Sequence, residues 1–385
     1  MQHADWSRPL LAPSLTVLGR LILADRVEGG RLTVEEGRIA SVEPSIVPED
    51  APYIAPGFVD VHVHGWGGYD AMGDDTARDG MSRALLRHGV TSFLPTAVTA
   101  PLTTLVDFAG HVRAWIPSAP ADGAAPLGFN LEGPFLSPAR RGAQDPASLL
   151  VPGDVEAAAL EPLLDGLRLI TIAPELTGAL ELIGRLRGRG VAVSLGHSAA
   201  SLDQARAGFA AGATTTTHLF NAMTGVDHRA PGLAAAALLD DDAYVELIAD
   251  GHHVHPALWD LVARLKPAGR LLVVSDAIAL GGTGDGRGLV GSLEVEVSGG
   301  RVTLAGSTTL AGSVVALDGA VRNLVAAGVT LSVAVAAATR NPLTMLGVTD
   351  RGRLEVGQRA DLVELDGELR VLRVMRAGTW LEAAG

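Results

Sequence analysis

Histidine and acidic residues stand at the ends of apolar runs along the middle of this 385-residue chain. His62 and His64 close one run, and because residues two apart in a strand share a face, their imidazoles would point the same way. Other runs end in Glu132, His197, His218 and Asp276. Imidazole nitrogens and carboxylate oxygens together suit Zn²⁺, and also Mn²⁺ or Fe²⁺. The pattern therefore predicts a divalent metal site.

Taken one at a time, these residues have purely structural interpretations. A His-x-His pair occurs often by chance, Glu132 could be a buried structural carboxylate, and Asp276 could cap the helix that follows it. All six residues would then have to reach one place by coincidence, and this favours the metal site. A nearby loop carries His252, His253 and His255, of which one is expected to be functional.

The elements that would position these residues are eight apolar, β-rich runs separated by helical patterns. Segments such as 79–88, 177–189 and 202–212 show helical periodicity and stop at a glycine. Apolar strands covered by helices indicate a parallel sheet, and eight such units indicate a (β/α)₈ TIM-like barrel whose strand ends form one rim. The eight runs are 58–64, 90–96, 126–132, 168–174, 191–197, 213–218, 244–250 and 271–276.

Both ends of the chain read differently, as short strands separated by turn residues. We expect residues 1–55 and 346–385 to form one small β-sandwich domain and residues 56–345 to form the catalytic barrel. Residues 289–304 alternate apolar and polar across Gly299-Gly300, which predicts a β-hairpin insertion at about 287–305.

Composition excludes several classes of protein. The net charge of -13 argues against nucleic acid or an anionic membrane as the main partner. Cysteine is absent and Lys266 is the single lysine, so thiolate chemistry is excluded and lysine chemistry would depend on that one residue. Residues 1–20 lack the features of a secretory signal, and the expected location is the cytoplasm.

Five phrases resemble the N-acetylglucosamine-6-phosphate deacetylase family of the amidohydrolase superfamily, and the resemblance runs from about residue 56 to 342. Leu-Glu-Gly-Pro and Thr-His-Leu-Phe-Asn-Ala-Met are the specific ones, whereas His-x-His belongs to the whole superfamily. The phrases are Pro-Gly-Phe-Val-Asp at 56–60, Asn-Leu-Glu-Gly-Pro-Phe at 130–135, Ser-Leu-Gly-His-Ser at 194–198, Thr-His-Leu-Phe-Asn-Ala-Met at 217–223 and Ala-Asp-Gly-His-His-Val at 249–254.

The resemblance implies a role for each matching residue. Glu132, His197 and His218 match the principal metal ligands, and Asp276 matches the catalytic aspartate. His62 and His64 match a pair that accompanies a second metal in some members, so one or two ions per chain are expected. A homodimer is implied as well, because the arginine matching Arg229 reaches the phosphate held by the neighbouring subunit. The expected substrate-binding residues are Ala143, Gln144, Asn221, Ala222, Arg229, His253, Leu310, Ala311 and Gly312.

One position departs from the family pattern. Gln144 stands where relatives carry a histidine that contacts the acetyl carbonyl. An amide can donate a hydrogen bond there but carries no charge, so weaker oxyanion stabilisation or a different preferred acyl sugar is expected.

The implied reaction is metal-dependent removal of the N-acetyl group of N-acetylglucosamine-6-phosphate, a step of amino-sugar metabolism, with Asp276 as general base and acid. The alternatives are the same chemistry on N-acetylgalactosamine-6-phosphate or another acylated amine, an amidohydrolase acting on a cyclic amide, and a catalytically idle barrel that senses a sugar phosphate.

Overall fold

The computed structural model describes residues 14–381, so the expectations for residues 1–13 and 382–385 lie outside the described part. The described chain begins with four strands that precede the barrel. They are β1 (Leu15–Ile22), β2 (Val27–Glu35), β3 (Arg38–Pro44) and β4 (Tyr53–Pro56).

The eight expected apolar runs all contain strands, and each strand pairs in parallel with the next. The two end strands also meet, because the backbone N–H of Asp276 donates to the carbonyl of His62 at 2.9 Å. The expected (β/α)₈ barrel is therefore confirmed. Its strands are β5 (Phe58–Val63), β8 (Val90–Ala97), β10 (Phe129–Leu131), β11 (Leu167–Ile172), β12 (Ala192–Leu195), β13 (Thr215–Thr216), β14 (Tyr244–Ile248) and β15 (Leu271–Val274), with short strands β6 (Gly65–Trp66), β7 (Tyr69–Asp70) and β9 (Ala125–Pro126) between them.

Helices follow the barrel strands and bury one apolar face against them. In α4, for example, Leu182, Ile183 and Leu186 are buried at helical spacing, while its arginines stay outside. No described helix has the length and apolarity that a membrane span requires. The helices are α1 (Asp75–Leu86), α2 (Leu102–Trp115), α3 (Ala157–Leu164), α4 (Ala179–Gly188), α5 (Leu202–Ala210), α6 (Leu233–Leu239), α7 (Ala257–Leu265), α8 (Leu317–Ala326), α9 (Leu331–Ala337) and α10 (Arg340–Met345).

The barrel interior changes character along its axis. Leu94, Leu169 and Leu272 belong to one buried apolar cluster. The residues two positions further along β8 and β11, Thr96 and Thr171, are polar, and they are buried as well. Because alternate residues share a face, the barrel interior is filled by apolar side chains at one end and lined by polar side chains at the carboxyl end of the strands.

An antiparallel sheet of three strands is inserted after β15: β16 (Gly286–Val290), β17 (Leu293–Ser298) and β18 (Arg301–Leu304). β17 and β18 form the hairpin around Gly299-Gly300, and β16 adds a third strand that the sequence analysis did not separate.

Strands from both ends of the chain share one further sheet. It is completed by β19 (Leu362–Leu365), β20 (Val371–Arg376) and β21 (Thr379–Leu381). The strand order in this sheet is β21-β20-β19-β4-β1-β2-β3. Where the sequence predicted a β-sandwich, the structure has one continuous hydrogen-bonded sheet of seven strands. We propose domain boundaries near residues 56 and 346, which fall between β4 and β5 and directly after α10.

Candidate active site

Glu132, His197 and His218 meet at the carboxyl end of the barrel. Glu132 follows β10, and its Oε1 lies 2.9 Å from His197 Nε2 and 2.9 Å from His218 Nε2. The two imidazole nitrogens are themselves 3.1 Å apart. All three side chains are almost completely buried.

A second group overlaps the first through Glu132. His64 Nε2 lies 3.1 Å from Asp276 Oδ1 and 3.4 Å from Glu132 Oε2. His62 Nε2 lies 3.4 Å from the same Asp276 oxygen. The six residues that the sequence marked for a metal site therefore come together, with Glu132 shared between two groups that could each hold an ion.

The hydrogen bonds on the far side of the imidazole rings test whether these groups suit a cation. Nδ1 of His62, His64 and His197 lies 3.0–3.2 Å from an oxygen that can only accept: Glu246 Oε2, the Thr96 carbonyl and the Arg140 carbonyl. Each Nδ1 must therefore carry the hydrogen, which leaves the Nε2 lone pairs facing the centre. His62 Nε2 is buried and has no hydrogen-bond partner among the described residues. Lone pairs that face one another at such distances fit a bound cation.

The charges of the centre lead to the same conclusion. Burial lowers the pKa of His64, but Asp276 and Glu132 outweigh it and raise that pKa to about 9. Burial raises the pKa of Glu132, yet the imidazoles of His197 and His62 hold it well below its usual range. Without an ion the carboxylates can be balanced only by protons on the histidines. A divalent cation would supply the same positive charge and displace those protons.

The backbone is bent at three of these positions. His197, His218 and Asp276 have positive φ angles of 46°, 28° and 50°. Residues with side chains rarely adopt this region, and such conformations persist where the surrounding structure enforces them, often at functional sites. The bends direct the side chains into the barrel mouth directly after the strands end.

The centre opens into a cavity of about 350 Å³, within the range of small-molecule sites. Of the residues expected at the site, only His62, which lies beneath, and Arg229 do not line it. Arg229 is exposed in the loop after β13. The expected residues that line the cavity are His64, Glu132, Ala143, Gln144, His197, His218, Asn221, Ala222, His253, Asp276, Leu310, Ala311 and Gly312.

Two of the lining residues have partners that orient them. His253 Nδ1 lies 2.7 Å from Asp250 Oδ2, and although burial lowers the pKa of His253, this carboxylate raises it above its usual value. Gln144 accepts from the backbone N–H of Thr99 at 2.8 Å and donates to Glu132 Oε2. One amide hydrogen of Gln144 is therefore engaged with a candidate ligand, and one remains for a substrate.

The sequence analysis missed Glu246, which lies in the middle of β14 and touches His62. The available signal was a charged residue inside an apolar run, because a buried carboxylate needs a partner. Lys266 lies apart from this centre and donates to the carbonyls of Ala237 and Asp240. His252 and His255 do not line the cavity, so His253 is the member of that trio at the site.

Comparison with known proteins agrees with this geometry. Residues 53–381 match the model of the amidohydrolase family. The N-acetylgalactosamine-6-phosphate deacetylase of Escherichia coli O157:H7 is 41% identical, with 90% of this chain and 93% of that protein covered. The human N-acetylglucosamine-6-phosphate deacetylase is 39% identical, with 96% and 95% covered.

A solved structure is similar over nearly its whole length. It is a variant of the Mycobacterium smegmatis N-acetyl-D-glucosamine-6-phosphate deacetylase in complex with N-acetyl-D-glucosamine-6-phosphate. It is 35% identical, has a TM-score of 0.88, and the alignment covers 96% of this chain and 99% of that one. The chain therefore belongs to the amidohydrolase family and, within it, to the N-acetylglucosamine-6-phosphate deacetylases.

Proposed function

We propose that this protein hydrolyses the acetamide of N-acetylglucosamine-6-phosphate to give glucosamine-6-phosphate and acetate. The observation that carries the proposal is the buried set of four histidines and two carboxylates at a cavity that all the expected sugar-binding residues except Arg229 line. Deacetylation of this class of substrate is also what the names of its relatives state.

The residues for a metal are Glu132, His197 and His218, with His62, His64 and Asp276 for a second ion. Zn²⁺ is our first choice because the ligands are imidazole and carboxylate, and Fe²⁺ or Mn²⁺ suits the same set. When bound, such an ion lowers the pKa of a water molecule toward about 7 and polarises the carbonyl of the substrate.

Asp276 is placed to move the proton. Its Oδ1 lies 3.1 Å from His64 Nε2, and the carboxylate lines the cavity. Burial raises the pKa of Asp276, but His62 and His64 outweigh it and keep the carboxyl ionised at neutral pH. Asp276 therefore accepts a proton from the attacking water and then donates it to the departing amine, which leaves poorly unless protonated. The remaining amide hydrogen of Gln144 can donate to the acetyl oxygen.

The phosphate would lie beside His253 and Asn221, which also line the cavity. His253 donates through Nδ1 to Asp250, and this carboxylate favours the protonated ring by raising the pKa of His253. In that protonated ring the Nε2–H can donate to a phosphate oxygen. We propose a homodimer in which the partner subunit's Arg229 completes this subsite. In support, Arg229 is exposed and does not line the cavity of its own chain.

A second substrate is favoured by one comparison. The relative that is 41% identical is an N-acetylgalactosamine-6-phosphate deacetylase, and the two sugars differ only in the orientation of one hydroxyl.

We propose a cytoplasmic location for the protein. A charged sugar phosphate does not cross an apolar membrane unaided, so the enzyme must be in the compartment where its substrate is made.

Acetate release by the purified enzyme tests the proposal. The substrates are N-acetylglucosamine-6-phosphate, its galactosamine epimer and unphosphorylated N-acetylglucosamine, each with metal-loaded and chelator-treated protein. We expect the first to give the highest kcat/KM, and chelation to abolish turnover until Zn²⁺ is restored. Higher kcat/KM on the galactosamine epimer would select the second candidate. Sugar binding without acetate release would indicate a sensor, and an empty metal centre after reconstitution would refute the mechanism.

A further inference from the structure

Glu246 is a buried carboxylate that the reaction described above does not use. It lies in the middle of β14, and its side chain is 0% exposed. Neighbouring Val245 and Leu247 belong to the apolar cluster that also contains helix residues, so alternation along the strand directs Glu246 into the barrel. A carboxylate in such a place is unfavourable unless its charge is used.

One oxygen of Glu246 contacts both groups of candidate metal ligands. Oε2 lies 3.1 Å from His62 Nδ1 and accepts from the backbone N–H of His218 at 3.2 Å. His62 belongs to the group with His64 and Asp276, whereas His218 belongs to the group with His197. The two residues are far apart in the sequence, and Glu246 Oε2 contacts the ring of one and the backbone of the other.

The contact determines how His62 can act. The backbone N–H of His62 donates to Asp60 Oδ1 at 3.2 Å, which holds the main chain, while Glu246 holds the ring. With its Nδ1–H directed to Glu246, the ring presents Nε2 to Asp276 and Glu132. A carboxylate behind a ligand histidine fixes its tautomer and makes it a stronger donor to a metal.

We propose that Glu246 is a positioning residue of the metal centre, which orients His62 and ties it to the backbone of His218. The inference rests on the proposed function, since it assumes that the centre binds metal. A purely structural role would require only that Glu246 balance charge in the core, and it would leave metal affinity unchanged in a folded variant.

The test compares metal affinity in wild type, Glu246→Gln and Glu364→Gln. Glu364 is the matched control, because it is a nearly buried glutamate in the terminal sheet that accepts from Arg373 at 2.8 Å. Each protein is stripped, reloaded with Zn²⁺ or Co²⁺ and titrated with a competing chelator. We expect Glu246→Gln to lose roughly 10–100-fold in affinity and the control to match wild type. We also expect excess metal to restore kcat in Glu246→Gln.

The outcomes separate the two proposals. If wild type binds metal and releases acetate while Glu246→Gln binds metal equally well, this inference alone is wrong. If wild type binds no metal, the proposed mechanism fails and this inference fails with it.

A measurement on unaltered protein covers the case in which Glu246→Gln does not fold. With ¹⁵N-labelled histidine in the zinc-loaded wild type, the ring of His62 should show a low-field proton on Nδ1, assigned by its loss in His62→Gln. A proton on Nε2 instead would overturn the inference.

Discussion

At the scale of single residues, the centre depends on side chains that each make more than one contact. Glu132 offers Oε1 to His197 and His218, while its Oε2 accepts from Gln144. Asp276 faces both His62 and His64 through one oxygen. Because each carboxylate has more than one partner, removal of a whole side chain is expected to alter metal binding and proton transfer together.

Asp276→Asn separates these two functions. Asparagine has nearly the same shape but cannot carry a proton, so kcat is expected to fall by about 10²–10⁴-fold while the principal ion stays bound. Steady-state kinetics and metal analysis of the same preparation measure both quantities. A kcat near that of wild type would assign the proton transfer to another group.

At the scale of elements, the loop 310–312 closes one side of the cavity, and its position depends on Gly312. Gly312 has a φ of +71°, and an added Cβ would lie 2.6 Å from Ile278 Cγ2 and 3.0 Å from the carbonyl of Asp276. Ser313 donates to that same carbonyl at 2.8 Å. A side chain at position 312 would therefore push the loop and Asp276 apart.

Gly312→Ala is expected to lower kcat/KM by roughly 10–100-fold through this displacement. Gly306→Ala is its control, because Gly306 has the same φ of +71° with no atom within 4 Å of the added Cβ. Kinetics and thermal unfolding of both variants provide the comparison. Equal losses in the two would show that backbone strain, and not the clash, is responsible.

The start of α8 is attached to the end of α1 by a buried carboxylate. Asp318 Oδ1 lies 3.0 Å from His88 Nδ1, and Oδ2 accepts from Arg322 at 2.6 Å. Burial raises the pKa of Asp318, but His88 and Arg322 outweigh it, so the net shift is downward. A carboxyl with a lowered folded-state pKa stabilises the fold above its unfolded pKa of about 3.9 and loses this contribution as the pH falls through the folded value.

Asp318→Asn should therefore lower the free energy of unfolding at pH 7 by about 1–3 kcal/mol. The difference from wild type should shrink as the pH falls below about 4, where the wild-type carboxyl becomes protonated. Urea unfolding at pH 7, 4 and 3 measures the difference. A gap that widens toward acid pH would contradict the assigned role.

At the scale of the whole molecule, the seven-stranded sheet is attached to the barrel at two places. β4 leads directly into β5 and pairs with β19, so the sheet is joined to the first strand of the barrel. Arg376, in β20, donates to the carbonyls of Pro120, Ala121 and Gly123 at the edge of the barrel. The sheet and the barrel are thereby held together by backbone pairing and by this arginine.

Mixed dimers test whether the partner's Arg229 completes the phosphate subsite. Arg229→Ala alone should raise KM for the phosphorylated sugar and barely change turnover of the unphosphorylated one, because a guanidinium pairs with phosphate oxygens. In a dimer of one Arg229→Ala chain and one Asp276→Asn chain, one site would have both residues intact. Co-expression with two different tags isolates this dimer, and we expect about half of wild-type activity per dimer.

If Arg229 acts within its own chain, each site of the mixed dimer lacks one residue and no activity returns. A monomer by light scattering, fully active and with equal effects of Arg229→Ala on both sugars, would rule out the shared site.

Much of the architecture was determined by local pattern. Continuous apolar strands alternating with helical segments predicted the barrel, since each strand must be buried on both faces by its neighbours and helices. His62, His64, Glu132, His197 and His218 could be predicted as neighbours, because the carboxyl ends of parallel strands share one rim. Family resemblance supplied the roles that spacing alone left open.

Only the tertiary structure decided which side chains face one another across the barrel. That Glu246 accepts from His62, and that Gln144 donates one amide hydrogen to Glu132, depends on strand register and loop conformation. The pairing of β4 with β19 joins residues some 300 positions apart, and the third strand of the insertion depends on its partner β17. Sequence periodicity indicates which residues are buried. Which residues they contact depends on long-range packing and hydrogen bonding, and no local pattern contains that information.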